Sequence, residues 1–120
     1  MQDGDLLQGL IIDLRRGTLV LAVLGSLSQP KYGYALLQDM ENQGIRIEAN
    51  TLYPLLRRLE SQGLLQSQWV TAESRPRKYY TLSDSGRTLY AQLREEWRRM
   101  VAEMENTLGS QDTREDESHA

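Results

Sequence analysis

The side chains in this sequence able to do chemistry are mostly cations, and they are grouped. Arg57 and Arg58 share one segment, and Arg75, Arg77 and Lys78 flank Pro76 in another. Clustered guanidinium and ammonium groups neutralise phosphates along a nucleic-acid backbone and release counterions as they bind. Asn50 and Thr51 stand just before Tyr53-Pro54. An asparagine amide can make a bidentate contact to adenine, and a threonine can meet a base edge or the thymine methyl. At a helix start the backbone N–H groups also favour a phosphate. Arg57 falls about one turn beyond Tyr53 on the same helix face, so the pair can grip a groove wall. The plainer alternatives are that Asn50 caps the helix, Arg57 is a solvated charge and the 75–78 cations are ordinary loop-tip residues. Combined, Asn50 and Thr51 are the candidates for base contact. Tyr53, Arg57, Arg75, Arg77 and Lys78 are the candidates for positioning on phosphates.

Trp97 is the other informative side chain. In an amphipathic stripe an indole is first of all a large apolar interface contributor. Near a two-fold axis it would meet its own copy, and two indoles can wall a slot for a planar aromatic molecule. Trp69, in a β-prone run, is expected in the core or on a sheet face.

Much other chemistry is absent. The 120 residues include no Cys, and the single His, His119, lies in a polar tail. Thiolate sites, disulfides and a His-based triad therefore have no residues to form from. No convincing carboxylate pair is present either. The expectation is a protein that is not an enzyme and uses no cofactor or metal.

The net charge of −3 argues against a polyanionic partner if read as a whole. It is an average over unlike pieces. Residues 1–49 hold 4 basic and 6 acidic residues (−2), residues 50–100 hold 9 and 5 (+4), and residues 101–120 hold 1 and 6 (−5). The positive stretch contains every cation singled out above.

Several elements must position these residues. Residues 6–28 read as helix, with Leu7, Leu10, Ile11 and Leu14 at helical spacing and a denser run from Leu19 to Leu27. Gly17 is placed to bend or split the segment. Arg15-Arg16 followed by Leu19–Leu24 mimics a secretion signal. However, Asp3, Asp5 and Asp13 precede it, no small-residue cleavage site follows Leu27, and the run is too short to span a bilayer. A buried central helix and a cytoplasmic protein are expected. A second helix should cover 34–43, with Ala35, Leu36, Leu37 and Met40 inward and Gly44 as its stop. A third should start near Glu48–Asn50, because Pro54 is cheap only close to a helix start, and run to about Gln62 with Asn50, Thr51 and Tyr53 exposed. After Gly63 the period becomes 2: Leu65–Thr71 and Lys78–Leu82 read as strands, with Ala72–Arg77 as the tip between them. Helix, helix, helix and hairpin is the winged helix-turn-helix order, with the third helix as reader and the hairpin as wing. Ser83 or Asp84 should cap a last helix reaching about Leu108. Its stripe of Tyr90, Leu93, Trp97, Met100, Val101 and Met104 needs a partner, and a second chain is the obvious supply.

The fold class is thus mainly α with a small β-hairpin: a winged helix-turn-helix over residues 1–83, a C-terminal dimerisation helix over 84–108, and a disordered acidic tail over 109–120.

Several motifs carry a family resemblance. Tyr32-Gly33-Tyr34, Thr51-Leu52-Tyr53-Pro54-Leu55-Leu56-Arg57-Arg58-Leu59-Glu60, Gly63-Leu64-Leu65 and Arg77-Lys78-Tyr79-Tyr80-Thr81-Leu82-Ser83-Asp84-Ser85-Gly86-Arg87 occur in this order. Across about residues 17–90 the chain resembles the PadR family of bacterial transcriptional regulators. Lys31 departs from the pattern, since many relatives carry His before the Gly-Tyr. The length is similar to the short subgroup with a single C-terminal dimerisation helix. The resemblance implies a homodimer that represses transcription, and for a dimeric winged helix the expected partner is a pseudo-palindromic operator in double-stranded DNA. It also implies a planar hydrophobic effector between subunits, at Trp97 with Ile11, Thr18 and Leu21. The competing expectation is a winged-helix protein–protein module with no specific DNA target.

Overall fold

The computed structural model describes residues 3–72 and 74–119, the last ten of them by backbone alone. Glu73, placed by the sequence at the hairpin tip, lies outside the described residues, as do Ala120 and the side chains of 110–119.

Gly17 splits the first apolar segment into α1 (Asp3–Arg16) and α2 (Thr18–Ser26). The two behave differently. Val23, Leu24 and the following Leu27 are fully buried, whereas no residue of α1 is. Helix α3 (Gly33–Asn42) buries Leu36 and Met40, and α4 (Ala49–Ser61) buries Leu52, Leu55, Leu56 and Leu59. Both end in the same way. Gly44 and Gly63 adopt φ of 86° and 79°, a left-handed conformation cheap only for glycine. Their N–H groups, and those of Ile45 and Leu64, reach back to the last helical carbonyls in a Schellman arrangement. Ile45 and Leu64 then pack on the core.

Strands β2 (Leu65–Val70) and β3 (Arg77–Leu82) form the expected hairpin, two-thirds of a sheet rather than all of it. A two-residue strand, β1 (Lys31–Tyr32), pairs antiparallel with the far edge of β3, so the order is β1-β3-β2. Cross-strand partners place Leu65, Leu82, Ser67, Tyr80, Trp69 and Lys78 on one face. That face begins in the core at Leu65, Tyr80 and Leu82 and ends in solvent at Trp69, which is 61% exposed. Trp69 is therefore a sheet-face residue and not a core one.

Ser83 caps the last helix, α5 (Asp84–His119). Its hydroxyl oxygen accepts from Gly86 N–H at 2.9 Å and donates to the Gly63 carbonyl at 2.6 Å. A Cβ on Gly86 would lie 2.0 Å from the Leu64 carbonyl oxygen, so only glycine lets α5 start this close to the turn after α4. The helix continues to His119, past the end expected near Leu108 and through the stretch read as a frayed tail. No proline follows Leu108, and Gly109 alone weakens a helix by only about 1 kcal/mol. The chain forms two compact units divided after Tyr90. Tyr90 belongs to the first unit because Gly25, lacking a side chain, leaves room for its ring.

Candidate nucleic-acid interface

Helix α4 presents two unlike faces. Its leucines enter the core, while Asn50, Thr51, Arg57 and Arg58 are exposed. Glu48 is the N-cap residue and uses its backbone carbonyl alone, accepting from the N–H groups of Thr51 and Leu52. Asn50 is thus not the cap. It sits in the first turn with Thr51, both side chains turned to solvent. Pro54 lacks the N–H that would meet the Asn50 carbonyl four residues back.

Tyr53 departs from its expected exposure. It is half-buried and packs on the core, with its ring against the bare Cα of Gly33. A Cβ at Gly33 would lie 2.3 Å from Tyr53 Cε1. The Gly33-Tyr53 contact therefore sets how closely the starts of α3 and α4 approach.

The three wing cations separate because successive strand residues point to opposite faces. Arg75 is exposed at the tip. Arg77 turns to the face away from α4, where its guanidinium lies 4.4 Å from the Tyr32 ring centroid. Tyr32 in turn meets Tyr79 edge-on at 5.5 Å. Lys78 turns towards α4 and donates to Glu60 Oε1 at 3.1 Å, with its ammonium also 5.1 Å from the Tyr80 ring centroid. The other oxygen of the same carboxylate, Glu60 Oε2, accepts from Ser67 Oγ on β2. The Ser67 hydrogen bond, with Lys78 adding to it, holds the Glu60 carboxyl below its ordinary range. The Glu60 contact likewise raises Lys78. Glu60 and Ser67 carried no expectation from the sequence. The signal that could have found them is the strand period, which puts Ser67 and Lys78 on the face shared with α4.

The candidate effector residues are distributed along the chain. Ile11, Thr18 and Leu21 are half-buried in the first unit, and the Thr18 hydroxyl donates to the Arg15 carbonyl at 2.8 Å. Trp97 is on α5 in the second unit, 41% exposed. Leu93, Met100, Val101 and Met104 are exposed around it, and Leu89 and Leu108 extend the run in both directions. Among the described residues no group of three or more His, Asp or Glu side chains could hold a metal ion. No helix among them is long and apolar enough to cross a membrane.

Known proteins share this architecture. Residues 20–92 match the model of the transcriptional regulator PadR-like family. The chain is 36% identical over 80 residues to the transcriptional regulator Rv3488 of Mycobacterium tuberculosis, covering 67% of this chain and 72% of that protein. Among solved structures, a PadR family transcriptional regulator from Eggerthella lenta superposes with a TM-score of 0.83 at 47% identity, covering 88% of this chain and 94% of that one. Bacillus subtilis PadR in complex with operator DNA superposes with a TM-score of 0.57 at 25% identity, over 62% of this chain and 45% of that one. These relatives are regulators and not enzymes. With its helix-turn-helix, its wing and a family match over most of its length, the chain belongs to the PadR-like family of transcriptional regulators.

Proposed function

We propose that two copies of this chain bind a pseudo-palindromic operator in double-stranded DNA and repress transcription, working in the cytoplasm. The observation that carries this reading is the exposed first turn of α4, with Asn50 and Thr51 turned to solvent and Arg57 following one turn later. Asn50 and Thr51 contact base edges; Arg57 and Arg75 meet phosphates. Arg77 acts from its place over Tyr32, and Tyr53 acts by fixing the α3–α4 approach. The complex of Bacillus subtilis PadR with operator DNA supports DNA as the partner. The second copy covers the stripe of Leu93, Trp97, Met100, Val101 and Met104, which a single chain leaves open. Tyr90 contributes to this interface only from its packed position against α2.

A salt titration on promoter duplexes tests the reading. Log affinity should fall with log salt by about 0.9 per phosphate contact. Binding that ignores salt, or no binding at all, favours a protein–protein module instead.

The exposed Trp97 favours a second reading, a slot for a planar aromatic effector between the two copies. Such a ligand changes DNA affinity only if it binds the two states of the dimer unequally. Planar dyes should quench Trp97 fluorescence in a Trp69→Phe background. A panel without quenching removes the slot.

A further inference from the structure

Lys78 looks like one more phosphate contact, yet the structure gives it another partner. Its ammonium and the Glu60 carboxylate are each about one-third exposed, with side-chain exposures of 29% and 31%, and they lie 3.1 Å apart. The same carboxylate accepts from Ser67. Lys78 is on β3, Ser67 on β2 and Glu60 in the last turn of α4. One side chain of the reading helix therefore holds both strands of the wing at once.

The arrangement has a mechanical consequence. Asn50 and Thr51 lie nine to ten residues before Glu60, about 15 Å away along α4 at 1.5 Å per residue. The wing tip is a few residues beyond Lys78, about 10 Å at 3.3 Å per residue. Glu60 sits where the helix meets the wing, so a change in its grip tilts the tip relative to the base-reading turn. Core side chains at the wing root restrain the same angle but end with Tyr80, on the rung it shares with Ser67. On that rung the Glu60 carboxylate adds a polar hold through Ser67, and on the next rung of that face, among the described contacts, its pair with Lys78 carries the link from wing to helix.

We propose that Glu60, Ser67 and Lys78 form a positioning cluster that sets the angle between wing and reading helix, and that Lys78 serves this cluster and not a phosphate. The proposal rests on the DNA reading above and adds to it which cation does not bind DNA. The lowered carboxyl of Glu60 and the raised ammonium of Lys78 agree with a pair that stays charged throughout the neutral range.

The two roles for Lys78 predict opposite signs for one substitution. Removing an acidic charge beside a DNA surface should tighten binding if electrostatics alone acts there. Glu60→Gln should instead weaken binding of a duplex enriched by in vitro selection, on the order of three- to tenfold. Lys78→Met should weaken it to a similar degree and leave the salt slope unchanged. The double variant should be no worse than either single one. Arg75→Met should flatten the slope by about 0.9.

The free full-length protein supplies an independent arm. Backbone amide relaxation over 66–70 and 77–80 should report a looser hairpin in Glu60→Gln and Lys78→Met, and not in Arg75→Met. Glu60→Gln binding as tightly as the parent, or Lys78→Met flattening the slope by about 0.9, overturns the positioning role. So does a hairpin that stays as ordered in both variants. Failure of the parent to bind any duplex overturns the DNA reading alone, because the relaxation arm still decides the cluster.

Discussion

Helices α4 and α5 both carry apolar residues at helical spacing, and the chain treats them in opposite ways. The α4 stripe of Leu52, Leu55, Leu56 and Leu59 is at most 9% exposed, closed by α3 and the sheet. The α5 stripe from Leu93 to Leu108 is 39–56% exposed. Helix α1 follows α5, with Leu6, Leu7, Leu10, Ile12 and Leu14 all more than half exposed. The contrast separates the apolar surface that a single chain closes from the apolar surface that it leaves open. Burial of apolar side chains stabilises by about 1.5–3 kcal/mol each, so an open stripe of this size is an unspent source of association energy.

The sharpest way to break the contrast is truncation inside each stripe. Leu56→Ala should destabilise folding by about 2–5 kcal/mol in denaturant unfolding, through lost burial and a cavity. Met104→Ala should leave the unfolding of a single chain within about 0.5 kcal/mol, as expected of an exposed site. Equal losses at both positions would mean that α5 is closed within one chain.

Close approach gives the next effect. Gly86→Ala should cost about 1–3 kcal/mol or more, because the new methyl meets backbone. Gly33→Ala meets first the Tyr53 ring, a side chain and not backbone, so the smaller loss is expected there. Thermal unfolding of the two variants orders them.

At the open stripe, Trp97→Ala should weaken self-association by about ten- to thirtyfold, the effect of truncating an aromatic anchor at an interface. Analytical ultracentrifugation reads it directly. The secondary structure of the variant should be unchanged by circular dichroism.

The smallest effect concerns pH. Because the folded Glu60 carboxyl is held below its ordinary range, its stabilisation is fully present above the ordinary glutamate range and is lost as pH falls through the lower folded value. Lys78 is raised, so its share is present below the ordinary lysine range and is lost only as pH climbs through the higher folded value. Hairpin order read by amide relaxation should therefore be flat from about pH 6 to 9 and fall in acid. Glu60→Gln should remove the acid limb attributable to this pair.

Much of the architecture was legible because long elements repeat their signal. Four buried leucines in α4, two glycines beyond helix ends and the change of period after Gly63 each point to the same winged order. What escaped was short or depended on direction. Two residues are too few to show alternation, so β1 was invisible although Tyr32 anchors both Tyr79 and Arg77. Arg77 and Lys78 read as one basic patch because they are adjacent, yet adjacency on a strand sends them to opposite faces. Tyr53 reads like its exposed neighbours because nothing local reveals that Gly33, twenty residues earlier, leaves a hollow for its ring. The apolar stripe of α5 ends at Leu108, although a helix stops only where something stops it.

Selection of duplexes from a random pool by the full-length protein tests the central claim most directly, because it asks about the reading face and the assembly together. The expected result is an enriched pseudo-palindrome with half-sites about one helical turn, roughly 34–36 Å, apart. No enrichment, or a single asymmetric site bound by one chain, would contradict it.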